Sequence, residues 1–174
     1  MNEKECKREV ESVLRQATSW MDNHIKSFYS EDEEIQRMML SKEKHTEEVR
    51  AICRALARHL HLSPTETAIA ELVGLLHDTG RFRQFTVYRT FNDAISVDHA
   101  ALGMKIIGEA GILQPLSDDD RRLVSFAIQN HNKKEIAPTA HERQRFFARL
   151  LRDADKLDIR SEEHTSELQS HQPI

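Results

Sequence analysis

The chain has 174 residues, of which 39% are hydrophobic and 31% charged, and its net charge is −4. This length allows one domain with a sizeable core, and the acidic balance excludes a broad basic surface for nucleic acid or an anionic membrane. Two cysteines, Cys6 and Cys53, indicate neither a disulfide framework nor a cysteine zinc site, and without a signal segment or a long apolar run we expect a cytoplasmic domain.

Apolar residues recur at three- and four-residue steps through the first 61 residues, which is the pattern of amphipathic helices. The stripe of the first helix, over residues 5–29, comprises Val10, Leu14, Ala17, Met21, Ile25 and Phe28. Acidic residues 32–34 favour the start of a second helix, which runs to His61 and carries His45 on its apolar side. Residues 63–66, Ser-Pro-Thr-Glu, combine a capping box with proline at the first helical position and predict a third helix.

The third helix is expected to end in a histidine and an aspartate side by side, His77 and Asp78. The preceding residues 72–76 are almost all apolar, which implies a buried position. Adjacent helical residues point about 100° apart, so both side chains can reach one metal ion only at the end of a helix. We expect Gly80 to provide that end. The alternative is a capping histidine beside an exposed aspartate.

Two further segments follow this pair. Residues 81–95 show no helical period, and their aromatic residues alternate with charged ones, so we predict a loop draped over the site. Ser96 is predicted to cap a helix that carries His99 and ends at Gly111.

The last predicted helices complete an all-α chain. The acidic start at residues 117–120 predicts a helix that places His131 on its inner face, and residues 141–159 again have a helical stripe. No sustained period-two pattern occurs, so the predicted class is all-α. Residues 160–174 resemble the translation of a sequencing-adaptor oligonucleotide. We therefore expect them to be a non-native tail, and the natural chain to continue past Ile159; a native polar tail is the alternative.

Six candidate metal ligands come from five predicted helices. They are His45, His77, Asp78, His99, His131 and Asp155. Histidine and carboxylate without thiolate suit Mn, Fe, Co, Ni or Zn, with Mg as a further option. For each lone histidine the alternative is a hydrogen-bonded core residue.

This series resembles the H…HD…D signature of the HD-domain superfamily of metal-dependent phosphohydrolases, over residues 36–159. The resemblance extends through the blocks Lys44–Thr46, Leu75–Phe82, Val97–Ala100, Ala127–Asn132 and Arg152–Asp158. It implies a single helical domain over residues 1–159, with an N-terminal helix over 1–30 and the metal site at its centre.

The superfamily signature implies that one metal ion is held by four of the candidates, namely His45, His77, Asp78 and Asp155. Asp153 is the alternative to Asp155 as the fourth ligand. His99 and His131 stand where some branches of the superfamily hold a second ion, so one or two ions are expected.

The function implied by the resemblance is hydrolysis of a phosphate ester or phosphoanhydride, in a small-molecule substrate such as a nucleotide, by metal-activated water. The expected catalytic residues are Asp78, Arg81 and Lys133, and the expected substrate contacts are Arg81, Arg83, Tyr88 and Asn132. A di-iron oxygenase and a non-catalytic regulatory module are the alternatives. The sequence assigns neither a particular substrate nor an oligomeric state.

Overall fold

The computed structural model describes the backbone of residues 3–138 and 141–170, and the side chains of residues 5–138 and 141–158. Within these ranges the chain forms seven α-helices, one 3-10 turn at Asp93–Ile95 and no β-strand. The helices are α1 (Glu3–Lys26), α2 (Glu33–His59), α3 (Pro64–Leu76), α4 (Thr79–Tyr88), α5 (His99–Ala110), α6 (Asp118–Asn130) and α7 (Glu142–Ser170). The all-α prediction is confirmed.

Three helices begin where their capping residues predict. Asp32 accepts hydrogen bonds from the backbone N–H groups of Glu34 and Ile35 at the start of α2. Ser63 and Glu66 form both halves of a capping box at the start of α3. Ser117 accepts from the backbone N–H of Asp120 at the start of α6. Each cap satisfies backbone donors that the first helical turn leaves unpaired.

Helix α3 occupies the centre of the bundle. It packs against four other helices, α1, α2, α6 and α7. Every residue from Ala68 to Leu76 is buried, as expected for a helix that is apolar around its whole circumference. This position carries the His77–Asp78 pair into the middle of the protein.

The predicted loop over residues 81–95 is wrong in its first half, because residues 79–88 form α4. Phe82 and Phe85, one turn apart, are buried on the inner face of this helix. The polar residues between them, Arg83 and Gln84, hide that spacing in the sequence. Arg89 ends the helix in the left-handed region, with φ 54°.

Gly80 does not end the third helix as predicted, since it lies inside α4. Helix α3 instead ends at Leu76, and Asp78 directly precedes α4. A Cβ atom on Gly80 would lie 2.1 Å from the backbone oxygen of His99 and 2.8 Å from the backbone nitrogen of Gly103. The glycine therefore permits a close backbone crossing of α4 and α5.

Two other predicted helix ends differ from the structure. Ser96 is not the cap of α5; Asp98 is, because its side chain accepts from the N–H groups of Ala100 and Ala101. Helix α7 continues past Ile159 to Ser170, through a segment with no glycine or proline before Pro173. Residues 171–174 lie outside the described residues, as do the side chains from 159 onwards, so the non-native tail stays a prediction. No helix in the described ranges is long and apolar enough to cross a membrane.

Candidate metal centre

Four side chains from α2, the α3–α4 junction and α7 converge on one point. The Nε2 atom of His45 lies 3.3 Å from Nε2 of His77, 3.5 Å from Oδ2 of Asp78 and 3.1 Å from Oδ1 of Asp155. Nε2 of His77 lies 3.6 Å from Asp78 Oδ2 and 3.8 Å from Asp155 Oδ1. Donor atoms about 2.1 Å from one ion at tetrahedral or octahedral angles lie ~3.0–3.4 Å apart. Two of the five separations fall in this range, and the other three exceed it by 0.1–0.4 Å. Small side-chain shifts would therefore let the four atoms hold one divalent ion, and we term this group subsite one.

The other oxygen of Asp78 faces a second pair of histidines. Oδ1 of Asp78 lies 3.3 Å from Nε2 of His99 and 3.6 Å from Nε2 of His131, and these two nitrogens are 2.9 Å apart. We term this group subsite two. One buried carboxylate can therefore join two ions, because each of its oxygens faces a different pair of imidazoles.

Each of the four histidines is held through its Nδ1 atom. His45 donates to Oδ2 of Asp158 at 2.6 Å and His99 to Oδ2 of Asp93 at 2.7 Å. The remaining two acceptors are backbone oxygens, Gly74 for His77 and Ile128 for His131, both at 2.7 Å. Because carbonyl and carboxylate oxygens only accept, each Nδ1 carries the proton and each Nε2 is left to bind a cation.

Two short contacts between histidine Nε2 atoms indicate whether these residues suit a metal ion. With Nδ1 protonated, neutral His45 and His77 point lone pairs at each other, and so do His99 and His131. All four rings are buried. Only a cation between the two nitrogens, either a proton or a metal ion, makes such a buried contact favourable. The donor set therefore fits divalent transition metals at both subsites.

The charges around the cluster keep its aspartate ionised. Burial by itself would raise the pKa of Asp78, but Lys42 and the surrounding histidines hold that pKa well below its usual 3.8. Burial lowers the pKa of His77 to about 4, although Asp78 partly offsets this effect. For His45 burial also favours the neutral ring, yet hydrogen bonding to Asp155 and the charge of Asp78 outweigh it and raise its pKa above 6.5.

These shifts predict how metal affinity depends on pH. Because the pKa of His45 is raised, a metal ion must displace a proton from its Nε2 at any pH below that pKa. His77 stays neutral down to about pH 4 and does not compete in this way. We expect affinity to fall about tenfold for each pH unit below the pKa of His45, for one displaced proton. Calorimetric Mn²⁺ titrations at several pH values, in buffers of different ionisation enthalpy, measure this. Constant affinity without proton release contradicts the prediction.

Three residues of the site were missed by the sequence analysis. The Nζ atom of Lys42 lies 3.0 Å from Oδ2 of Asp78. Asp158 and Asp93 hold the Nδ1 atoms of two ligand histidines. Lys42 lies one helical turn before His45, and Asp158 one turn after Asp155, so helical spacing is a signal for both. Nothing in the sequence distinguishes Asp93.

The expected catalytic cations, Arg81 and Lys133, lie near the cluster but form ion pairs with carboxylates outside it. Nη1 of Arg81 donates to Oδ1 of Asp93 at 2.9 Å, and Arg81 Nε lies 3.6 Å from Asp78 Oδ1. Lys133 is paired with Asp98. To bind a phosphate, Arg81 or Lys133 would have to exchange these carboxylates for it.

The expected substrate contacts divide into a partly buried and an exposed group. The Nδ2 atom of Asn132 donates to Asp93 Oδ2 at 3.0 Å and to Asp98 Oδ1 at 2.9 Å. Its Oδ1 atom is buried and has no hydrogen-bond partner among the described residues, like Nε of Arg81. Arg83 and Tyr88 instead lie on the exposed face of α4.

The two candidates for the fourth ligand lie in different places. Oδ1 of Asp155 approaches His45 to 3.1 Å, and the side chain of Asp155 is 21% exposed. Asp153 is exposed and lines a surface groove with Arg149 and Lys156. The structure therefore brings Asp155, and not Asp153, into subsite one.

Loss of the Asp158 carboxylate should weaken subsite one. In Asp158→Asn the hydrogen bond to His45 Nδ1 loses its charge, and partners of this kind typically change metal affinity by about 10–100-fold. Mn²⁺ titration calorimetry measures the effect. Asp153→Asn, on the same helix but exposed, is the matched control and should bind like the wild type. Equal affinity in both variants would show that Asp158 does not support the ligand.

Comparison with known proteins gives one match. The sequence model of the HD domain family matches residues 43–160, which is more than half of the chain and includes all six residues of the two subsites. Searches of curated proteins and of solved structures gave no match.

Proposed function

Because this chain belongs to the HD domain family, we propose that it hydrolyses a phosphate ester or phosphoanhydride, with a nucleotide as the substrate. The observation that carries the proposal is the sharing of Asp78 between two pairs of histidines. An arrangement that can hold two ions on one carboxylate suits the displacement of a phosphoryl group by water. When bound there, divalent ions would lower the pKa of a coordinated water and polarise a phosphoryl oxygen.

The residues of the chain supply orientation and charge. His45 and His99 are fixed by Asp158 and Asp93, so their Nε2 atoms are aimed before any ligand arrives. Asp78 is ionised and fully buried, which keeps its charge effective in a site of low dielectric constant. This preorganisation reduces the reorganisation required during reaction.

Direct attack by water is also favoured because the two subsites contain no serine or cysteine that could act as a nucleophile. The six residues that form the two subsites are four histidines and two aspartates, so none of them is a serine or a cysteine. Cys53 lies in the hydrophobic core, where burial raises the pKa of its thiol and keeps it protonated. A covalent intermediate on this residue is therefore not part of the proposed reaction.

We assign the phosphoryl contacts to residues that border the cluster. Arg81 and Lys133 would stabilise charge on the phosphoryl oxygens after leaving Asp93 and Asp98. The Oδ1 atom of Asn132, which has no hydrogen-bond partner in the described part of the chain, offers a buried acceptor for a substrate hydroxyl or a water. Tyr88 and Arg83 supply an exposed ring and an exposed cation on α4 for the remainder of a nucleotide.

A screen of phosphorylated metabolites tests the proposed function. The wild type, with Mn, Co, Ni, Fe or Mg added, is compared with His77→Ala. We expect phosphate release that depends on metal for at least one substrate, and its loss in the variant. Equal release by the two proteins, or none from the metal-loaded wild type with any substrate, would overturn the proposal.

An oxygenase is the second candidate, because a carboxylate shared by two histidine pairs also suits a di-iron centre. Oxygen uptake by the iron-loaded protein distinguishes the two activities. Oxygen consumption by the iron form, without phosphate release by any metal form, would favour this candidate.

A further inference from the structure

Lys42 lies at the edge of subsite one. It is on α2, one turn before His45, and its Nζ atom is 3.0 Å from Oδ2 of Asp78. This is the oxygen that faces the Nε2 atoms of His45 and His77 at 3.5 and 3.6 Å. The ammonium group therefore neutralises the same atom that would bind the metal ion.

Lys42 differs from the two other cations near the site in the partner that it uses. Arg81 and Lys133 donate hydrogen bonds to Asp93 and Asp98, which lie outside the two subsites. Arg81 also approaches Asp78, but through Nε at 3.6 Å from Oδ1 and without a hydrogen bond, whereas Lys42 donates to Oδ2. Within the described side chains, Asp78 is the carboxylate with which Lys42 pairs. A divalent ion on Oδ2 would compete directly with the ammonium group, whereas the partners of Arg81 and Lys133 would remain in place.

The surroundings of Lys42 keep its ammonium group close to the cluster. Nζ lies 5.4 Å from the centre of the Phe91 ring, on whose face a cation is stabilised. The side chain is 20% exposed, so the group lies between the buried cluster and solvent. A phosphate that binds an ion at subsite one from the solvent side would meet this ammonium group.

We propose that Lys42 is a phosphate-binding residue that becomes available when metal binds. Without an ion, Lys42 neutralises Asp78; with an ion on Oδ2, it exchanges the carboxylate for a phosphoryl oxygen of the substrate. Metal and phosphate binding are then coupled through Lys42, and the coupling is reciprocal. This inference rests on the proposed function, since it requires a metal ion and a phosphorylated ligand at the same site.

Lys42→Met tests the exchange through two binding measurements. Methionine keeps the unbranched stem but removes the charge. We expect Mn²⁺ to bind several-fold more tightly to this variant, because a competing cation is lost. Inorganic phosphate should bind the Mn²⁺-loaded variant about 10–100-fold more weakly, as for loss of a hydrogen bond between charged groups. Titration calorimetry gives both affinities, and neither requires turnover.

Two further variants complete the experiment. Lys44→Met makes the same chemical change two residues away at an exposed position and should bind both ligands like the wild type. Lys42→Arg retains a cation and should keep most of the phosphate affinity, so it also reports on the site if the methionine variant does not fold. Thermal melting establishes that each protein is folded.

The outcomes separate this inference from the proposed function. Unchanged phosphate affinity in Mn²⁺-loaded Lys42→Met overturns the role of Lys42 while the hydrolase proposal stands. Weaker Mn²⁺ binding in that variant overturns the competition between lysine and metal. A loss of phosphate affinity in Lys42→Arg as large as in Lys42→Met overturns the requirement for a cation. Failure of the wild type to bind Mn²⁺, Co²⁺, Ni²⁺, Fe²⁺ or Zn²⁺ overturns both proposals.

Discussion

Asp78→Asn is expected to abolish metal binding at both subsites and to lower phosphate-releasing activity by about 1,000-fold or more, since ions of this kind supply several kcal/mol of transition-state stabilisation. The reason is that Oδ2 serves His45 and His77 while Oδ1 serves His99 and His131. Asparagine keeps the shape but removes the negative charge and replaces one oxygen with a nitrogen that cannot bind a cation. Metal analysis of the purified protein and Mn²⁺ calorimetry measure the loss.

Substitution at subsite two alone should have a smaller effect than Asp78→Asn. His99→Ala removes one ligand of that subsite and leaves the four donors of subsite one in place, so we expect the metal stoichiometry to fall from two to one. Asp22→Asn is the control for Asp78→Asn, because it makes the same substitution at an exposed position on α1. It should leave the metal stoichiometry unchanged. If Asp78→Asn still bound two ions, the assignment of Asp78 as the shared ligand would be wrong.

Gly80→Ala is expected to destabilise the fold by about 3 kcal/mol, in the upper part of the range for overpacked sites. The added Cβ would lie 2.1 Å from the backbone oxygen of His99 and 2.8 Å from the backbone nitrogen of Gly103, so the helices α4 and α5 must separate. For a chain of this length the melting temperature should fall by roughly 6–12 °C. Thermal denaturation followed by circular dichroism measures it.

Gly108→Ala is the matched control for that substitution. Gly108 lies in α5 like Gly103, but a Cβ there would meet no atom of the described residues within 4 Å outside its own helical backbone. Alanine should therefore stabilise the helix by about 0.5–1 kcal/mol through its higher helical propensity. Similar melting temperatures for the two variants would show that the crossing at Gly80 is not tight.

Much of the fold could be predicted because its signals are local. The capping box at Ser63 and the acidic start at Asp32 depend on residues within one turn of each other, and both are confirmed. Helix α4 was missed because its start carries Gly80, which normally marks a helix end. Contact between α4 and α5 overrides that local preference, and sequence spacing alone does not reveal such a contact.

The site was less predictable than the fold, because its geometry depends on residues far apart in the chain. Helical periodicity placed His45 and His131 on inner faces, and both are buried. The hydrogen bond between His45 and Asp158 spans 113 positions. Likewise, the pairing of Lys42 with Asp78 follows only from the packing of α2 against α3 and α4. The carboxylate that supports each histidine can therefore be identified only from the folded structure.

The backbone crossing at Gly80 and Gly103 bears on which ions subsite two can accept. Asp78 immediately precedes α4 and His99 begins α5, so the distance between them is set by two helices whose main chains touch. The distance between these two ligands cannot increase to accommodate a larger ion unless α4 and α5 move apart. Subsite one includes Asp155, a partly exposed ligand on the separate helix α7. Its ligand distances can therefore change with the radius of the ion. We therefore expect size selectivity to reside in subsite two, and a broader choice of metal in subsite one.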